Sequence, residues 1–278
     1  MKTIKMFSET EPSINSTLES LAKIAPECNF IRKLQRIYQY YDEPKTFQYA
    51  ASLDYSEKDT DGQLNTSRRA GGTSFASKEY AFLKCFCEAL ERFACSIYKN
   101  KNLLFKSIKE INQTALDPKL FSYFADEQKK SAHYSVFNFD DDAKFNWVKV
   151  KNLNGKSCLI PAQMVYFTYK FMKDEGKIYT PISTGAAGGG CLSAAIVRGI
   201  LEIVERDSFM IYYLNTLSGT KIDLDKINDS LLKHILSVLK RYNLEIHTID
   251  ITTELGIPSF VSIIVDKTGI GPSVQVGI

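Results

Sequence analysis

The sequence predicts a mixed α/β (α+β) fold, and three features carry that expectation. Two long segments, Tyr80–Tyr98 and Leu192–Leu214, have the length and apolar content of helices. Short stretches rich in β-branched and aromatic residues surround them, at Phe30–Tyr40, Thr46–Leu53, Phe145–Val150, Ser157–Pro161, Gln163–Tyr169, Glu245–Ile251 and Ser259–Asp266. With 278 residues, 44% of them apolar, the chain can bury a sizeable core as one large domain or two small ones.

Taken in order, the first thirty or so residues are polar, with one short helix around Ser16–Ile24. Two strands follow, then a linker, Asp54–Arg69, rich in Ser, Thr, Asp and Asn and closed by Gly71-Gly72; it predicts a mobile loop. The helix Tyr80–Tyr98 contains neither Pro nor Gly, and Ser77 with Glu79 gives it a polar start. Residues 103–135 read as one or two surface helices with loops. After three strand-like stretches comes the glycine-rich run Ser183–Gly190, leading at once into Leu192–Leu214. Ile227–Tyr242 forms an amphipathic third helix. Glu245–Ile251 and Ser259–Asp266 are joined through Gly256-Ile257-Pro258, and Ser273–Ile278 reads as a last strand that needs pairing inside a sheet. The expected organisation is an N-terminal extension with the first strands over 1–64 and a main domain over 65–278.

Composition narrows the function classes. A formal charge of +3 is too weak to argue for nucleic acid or an anionic membrane as partner. Lys129 with Lys130, and the run Asp140, Asp141, Asp142, read as solvated loop charges. None of Cys28, Cys85, Cys87, Cys95, Cys158 and Cys191 forms a Cys-x-x-Cys pair, and His133, His234 and His247 lie far apart, so zinc is unsupported. Cys85, Cys87 and Cys95 sit in an apolar helical stretch, where a free thiol behaves as a small hydrophobe. Met1–Thr10 holds no apolar signal core and no apolar run reaches spanning length, so the expectation is a reduced, cytoplasmic protein.

The chemistry lies on the two long helices. Phe82, Leu83, Phe86, Leu90, Phe93 and Ala94 make the first apolar on most faces, the pattern of a buried helix. Lys84, Glu88, Glu91 and Arg92 interrupt it along one stripe. On the second, Arg198, Glu202, Glu205 and Arg206 interrupt Ile196, Val197, Ile200, Leu201, Ile203 and Val204 with the same spacing. Burying an unpaired charge costs on the order of several kcal/mol, so two buried helices with matching stripes need each other or a bound ion. Glu88, Glu91, Glu202 and Glu205 would supply hard oxygen ligands for Mg²⁺ held together with nucleotide phosphates. The arginines of the two stripes could then take phosphate oxygens bidentately. The bland alternative makes Glu88–Arg92 and Glu202–Arg206 ordinary i,i+4 pairs, each contributing about 0.2–0.5 kcal/mol. Duplication, apolar surroundings and the glycines ahead of the second copy favour a site. Gly188, Gly189 and Gly190 can bring backbone N–H groups to an anion, although the run is neither a Walker A loop nor a Gly-x-Gly-x-x-Gly.

These residues resemble the YcaO family. Ser77 through Phe93, with Cys87-Glu88-Ala89-Leu90-Glu91-Arg92-Phe93, is similar to its first signature helix. Ser183-Thr184-Gly185-Ala186-Ala187-Gly188, followed by Gly199-Ile200-Leu201-Glu202-Ile203-Val204-Glu205-Arg206-Asp207, resembles its second. Ile160–Tyr166 is similar to a segment of the cyclodehydratase branch, and Gly256-Ile257-Pro258 and Val274–Gly277 also fit. The resemblance runs from about residue 28 to 278 and implies a YcaO-like fold with twisted mixed sheets, its two Glu-bearing helices lining a central ATP cleft.

It further implies ATP- and Mg²⁺-dependent activation of a peptide-backbone amide. In the azoline branch a Cys, Ser or Thr side chain of a ribosomally made precursor peptide attacks the preceding carbonyl, and the oxygen leaves as phosphate. In the thioamide branch an external sulfur source attacks instead. Carried over by position, Glu88, Glu91, Glu202 and Glu205 ligate Mg²⁺, while Arg206, Arg92, Lys84, Ser183 and Gly188–Gly190 are the candidate phosphate contacts. Three positions depart from the family: Lys84 stands where Ser is common, Gly190 where Asn is expected, and Ala194 at an acidic position. The family's domain also continues beyond the part matched by this chain, with a further helix carrying ATP-site residues. A catalytically lapsed scaffold is therefore a third reading beside cyclodehydratase and thioamidation component. The implied partners are the precursor peptide and a separate ThiF-like or TfuA-like protein, with homo-oligomerisation through the last strand a further expectation.

Overall fold

The computed structural model describes all residues except 1–9, 25–28, 54–67, 100–101, 122–123, 133, 138, 153 and 271–273. Its helices and strands in chain order are α1 (Ile14–Ile24), β1 (Ile31–Ile37), β2 (Phe47–Leu53), β3 (Arg69–Ser74), α2 (Lys78–Ser96), β4 (Leu104–Ser107), α3 (Asp126–Lys129), β5 (Lys144–Lys151), β6 (Ser157–Pro161), α4 (Leu192–Leu214), β7 (Thr220–Ile222), α5 (Ser230–Arg241), β8 (Leu244–Asp250), β9 (Phe260–Asp266) and β10 (Val274–Gly277). This is the mixed α/β class expected, with every pairing between these strands antiparallel. The chain divides into two units, one built from Glu9–Asp54, Arg69–Ala89 and Thr184–Ile278, the other chiefly from Leu90–Ser183.

The first unit holds a three-stranded sheet ordered β1-β2-β3 and a four-stranded sheet ordered β10-β9-β8-β7. Gly71 and Gly72 are not the end of a loop, as their sequence suggests, but the middle of β3, facing Ala50 and Tyr49 of β2. Alternate residues Ala70, Gly72 and Ser74 point inward, and the missing side chain of Gly72 lets α2 approach: a Cβ there would lie 2.0 Å from the Ala81 carbonyl oxygen and 2.5 Å from the Cys85 nitrogen. Ser77 caps α2 as expected, its hydroxyl accepting the Tyr80 N–H at 3.0 Å. The inner face of α2 is Ala81, Cys85, Phe86 and Ala89, with Phe82 edge-on to Tyr49.

Beside the second sheet, α4 meets β9, where the buried Ser208 hydroxyl donates to Ser259 at 3.4 Å. The inward residues of α4 are small: Ser193, Gly199 and Ser208. Its large apolar side chains, Val197, Ile200, Leu201, Ile203, Met210 and Tyr213 among them, are exposed. The expectation of two buried helices is thus corrected for α4, which is apolar all round yet covered on one narrow face. The third helix begins at Ser230 rather than Ile227, because the Asp229 carboxylate caps it by accepting the Leu232 N–H at 2.7 Å. At the edge of this sheet β10 pairs with β9 and is exposed along its length.

The second unit is organised on a sheet ordered β4-β5-β6, with Phe145, Trp147, Leu159 and Ile178 as its core. Two expectations fail here. Residues 103–135 form strand β4, several single 3₁₀ turns and only the one-turn α3 among the described residues, because Leu104–Ser107 pairs with β5 instead of coiling. The anticipated strand Gln163–Tyr169 is a 3₁₀ turn followed by loop: β6 stops at Pro161, and the buried Gln163 amide bridges the Gly176 carbonyl and the Ile178 N–H. Tyr166 then stacks on Tyr98, and Tyr169 lies tilted against the same ring. The linker predicted over 54–69 lies outside the described residues up to 67. No helix among the described residues is long and apolar enough to cross a membrane.

Candidate functional site

Within the first unit, α4 and the part of α2 up to Ala89 are built on one local plan. The Gly71 N–H donates to the Glu88 carboxylate at 2.7 Å, and the Gly185 N–H donates to the Glu202 carboxylate at 2.9 Å. Both bonds reach back 17 residues, and both use Oε2. The repeat of Lys84, Glu88, Glu91 and Arg92 as Arg198, Glu202, Glu205 and Arg206 therefore extends backward to a glycine ahead of each helix. In the first copy the glycine is held by strand pairing. In the second it is held by conformation: Gly185 has φ +87°, and α4 closes on it through Gly199, where a Cβ would sit 2.6 Å from the Gly185 oxygen.

The predicted residues distribute as follows. Glu88, Glu91, Glu202 and Glu205 are half-buried rather than buried, so burial of charge presses less on them than the apolar pattern implied. Glu91 and Glu205 each lie three residues beyond the anchored glutamate of their helix, on the same face. The second glycine run comes beside α2: at Gly188 a Cβ would contact the Cys87 carbonyl oxygen at 3.7 Å, next in sequence to Glu88. Arg206 places Nη2 at 3.7 Å from Glu202 within its own helix. Such an exposed i,i+4 pair contributes about 0.3–0.5 kcal/mol. Arg92 lies over the Phe167 ring at 5.5 Å. Lys84 turns to the start of α2, its ammonium 4.7 Å from the Tyr80 ring centre and 3.4 Å from the Thr73 carbonyl. Ser183 is half-buried at the head of the glycine run.

Sequence reasoning missed three residues, Gly71, Gly185 and Glu11. Gly71 and Gly185 were detectable, since the repeat of the charged stripe carries them in matching positions. Arg198, a member of the predicted stripe, donates to the Gly188 carbonyl at 3.4 Å and pairs with Glu11. Glu11 had no signal at all, being 187 residues from its partner.

The donors fit a hard divalent cation shared with phosphate. Among the described residues no three His, Cys, Asp or Glu side chains converge as a ready-made cage, and Mg²⁺ is commonly held by one or two carboxylates with substrate phosphates completing its shell. A backbone N–H on one oxygen of Glu88 and of Glu202 orients each carboxylate, which is the supporting role such contacts play around metal ligands. Burial, and then the Glu88 carboxylate, pushes the Cys85 thiol up to about 11. Burial followed by the charge of Glu91 likewise raises Cys95.

A family model described as YcaO cyclodehydratase, ATP- and Mg²⁺-binding, matches residues 74–277. A protein of Rhizobium leguminosarum bv. trifolii, described as an uncharacterized protein in the tfuA 3′ region, is 28% identical over 115 residues, covering 40% of this chain and 27% of the relative. A heterocyclase solved in complex with substrate and cofactor superposes with a TM-score of 0.81 at 21% identity, over 100% of this chain and 38% of that one. YcaO from Methanopyrus kandleri, solved with AMPPCP and Mg²⁺, gives a TM-score of 0.62 at 15% identity over 91% of this chain and 58% of that one. The two structural likenesses establish the fold, and the chain spans less than two thirds of each of these proteins.

Proposed function

Since this chain belongs to the YcaO family, we propose that it binds ATP with Mg²⁺ and takes part in activating a backbone amide of a ribosomally made peptide, by cyclodehydration of Cys, Ser or Thr to an azoline. The observation that carries the reading is the duplicated, amide-anchored glutamate: Glu88 on the Gly71 N–H and Glu202 on the Gly185 N–H. Glu88 and Glu202 would hold the cation, in the one-or-two-carboxylate arrangement that Mg²⁺ commonly takes with phosphates, and Glu91 and Glu205 follow one turn further along their helices. Arg206 and Arg92 are the candidate phosphate partners, and Lys84, Ser183 and the amides of Gly188–Gly190 complete the candidate set. The bound nucleotide would supply the phosphoryl group that turns the amide oxygen into a leaving group. The protein's own contribution is positioning and charge neutralisation, which is most of what phosphoryl transfer asks of it.

Calorimetry with Mg-ATP tests this directly. Glu88→Gln and Glu202→Gln keep an oxygen for the glycine N–H but lose the charge, so each should weaken Mg-ATP by about tenfold or more with an unchanged melting temperature. Wild-type protein that does not bind Mg-ATP, or Gln variants that bind it equally well, would rule the reading out.

The relative in a tfuA 3′ region favours a second reading of the same site: thioamidation with a TfuA-like partner. Mass analysis of a modified precursor separates the two, since cyclodehydration removes one water and thioamidation exchanges oxygen for sulfur. A cytoplasmic location, where ATP and precursor peptide are both available, belongs to either reading.

A further inference from the structure

The segment ahead of α1 lies on the last glycine of the second run. Arg198 grips the Glu11 carboxylate with both terminal nitrogens, Nη1 to Oε1 at 2.7 Å and Nη2 to Oε2 at 2.9 Å. The Gly190 N–H donates to the same Oε1 at 3.3 Å. Two of the glycines are shaped to this contact. At Gly189 a Cβ would meet the Ala195 nitrogen at 2.6 Å and Arg198 Nη1 at 3.0 Å; at Gly190 it would meet Pro12 Cδ at 2.8 Å. Arg198 is aligned along the run by its bond to the Gly188 carbonyl. A guanidinium fork and a backbone N–H converging on two oxygens serve a phosphate as well as a carboxylate.

We propose that Arg198 and the Gly190 N–H form a phosphate seat which Glu11 occupies when no ligand is bound, so that the Glu11-Pro12 segment competes with the phosphate end of a nucleotide. The identity of the ligand rests on the function proposed above; the competition does not. Displacement is easy on this geometry, because Arg198 and Glu11 are 49% and 39% exposed, and an exposed pair shifts an equilibrium by only about two- to fivefold. The ligand's apparent affinity falls by the fraction of molecules in which the seat is taken.

The probe is inorganic tripolyphosphate in EDTA, titrated by calorimetry. Glu11→Ala should bind it about threefold tighter than wild type. Gly190→Ala, which leaves every charge in place and pushes Pro12 off, should also tighten it. Glu19→Ala removes an equal charge from α1 away from the seat and should change nothing. Arg198→Ala should weaken binding, and adding Glu11→Ala to it should give no gain. Failure of Glu11→Ala to bind tripolyphosphate more tightly, or an equal gain from Glu19→Ala, overturns the proposal. The two readings fail separately. If Mg-ATP does not bind but tripolyphosphate follows this pattern, the proposed function falls and the seat stands. If Mg-ATP binding depends on Glu202 while Glu11→Ala is silent, the reverse holds.

Discussion

Replacing Gly72 with Ala should damage the protein, whereas the same change at Gly71 should not. A Cβ at Gly72 would lie 2.0 Å from the Ala81 oxygen, 2.5 Å from the Cys85 nitrogen and 3.0 Å from the Lys84 Cβ. Two of those atoms are helix backbone, so β3 and α2 must separate by about 1 Å, and the contacts of Ala81, Cys85 and Phe86 loosen together. We expect a loss of about 3 kcal/mol and a drop in Tm on the order of 6–12 °C. At Gly71 the nearest atom to an added Cβ is the Tyr49 oxygen at 3.8 Å, an ordinary contact, and the residue is not in the left-handed region. There the change should stay within about 0.5 kcal/mol of neutral. Urea unfolding followed by far-UV circular dichroism reads both variants. The fluorescence of the single tryptophan, Trp147 in the other unit, provides an internal comparison. Because the separated helix carries Glu88 away from the Gly71 N–H, Gly72→Ala should also weaken Mg-ATP. If it melts within about 1 °C of wild type, or if Gly71→Ala is equally damaging, the close approach of β3 and α2 is wrong.

Asp229→Ala removes the side-chain cap of α5 and should cost about 1 kcal/mol, seen as a lower urea midpoint with an unchanged slope. Alkaline stability tests the buried knot of the second unit, where the Tyr169 hydroxyl donates to Glu175 at 2.8 Å and Asn146 Nδ2 donates to the Tyr169 oxygen at 2.8 Å. Burial, followed by the bond to Glu175, keeps the phenol protonated far above its ordinary range. A group with a raised folded-state pKa contributes in full below its unfolded value and loses that contribution as pH climbs past it. Stability followed by Trp147 fluorescence should therefore fall above about pH 10, and the fall should be shallower in Tyr169→Phe. Equal alkaline slopes in the two proteins would refute that account.

Much of this was legible because it depended on local pattern. The helices α2 and α4 follow from long apolar segments, and the matching stripes of Glu and Arg gave the core of the candidate site. Strands β5, β6, β8 and β9 are carried by Val, Ile and aromatic residues. What stayed hidden depends on distant partners. Arg69–Ser74 has no strand signature; it is a strand because β2 pairs with it and because its glycine admits α2. Gln163–Tyr169 has strand composition but spends its polar and aromatic groups on Gly176, Ile178 and Tyr98. Periodicity made α4 look buried, since the pattern counts apolar faces without saying whether anything covers them. Glu11 could be found only through a contact with a residue 187 positions away.

The two copies of the glycine–helix unit differ in what satisfies the backbone ahead of the helix, and that difference bears on where a ligand can act. In the first, Gly71 and Gly72 are committed to strand pairing with β2, so the wall behind Glu88 is fixed by main-chain bonds that a ligand cannot replace. In the second, the Gly188 carbonyl is bonded by Arg198 and the Gly190 N–H by Glu11, both through side chains at the surface. A phosphate would stand in for the Glu11 carboxylate alone, because it offers oxygens to the same two donors, the Arg198 guanidinium and the Gly190 N–H. The sequence repeat therefore supplies two equivalent carboxylates, and the broken symmetry around them leaves one exchangeable side. On the function proposed above, a phosphate-bearing ligand would enter against α4 and the glycine run, with the Glu88 side serving as the fixed reference.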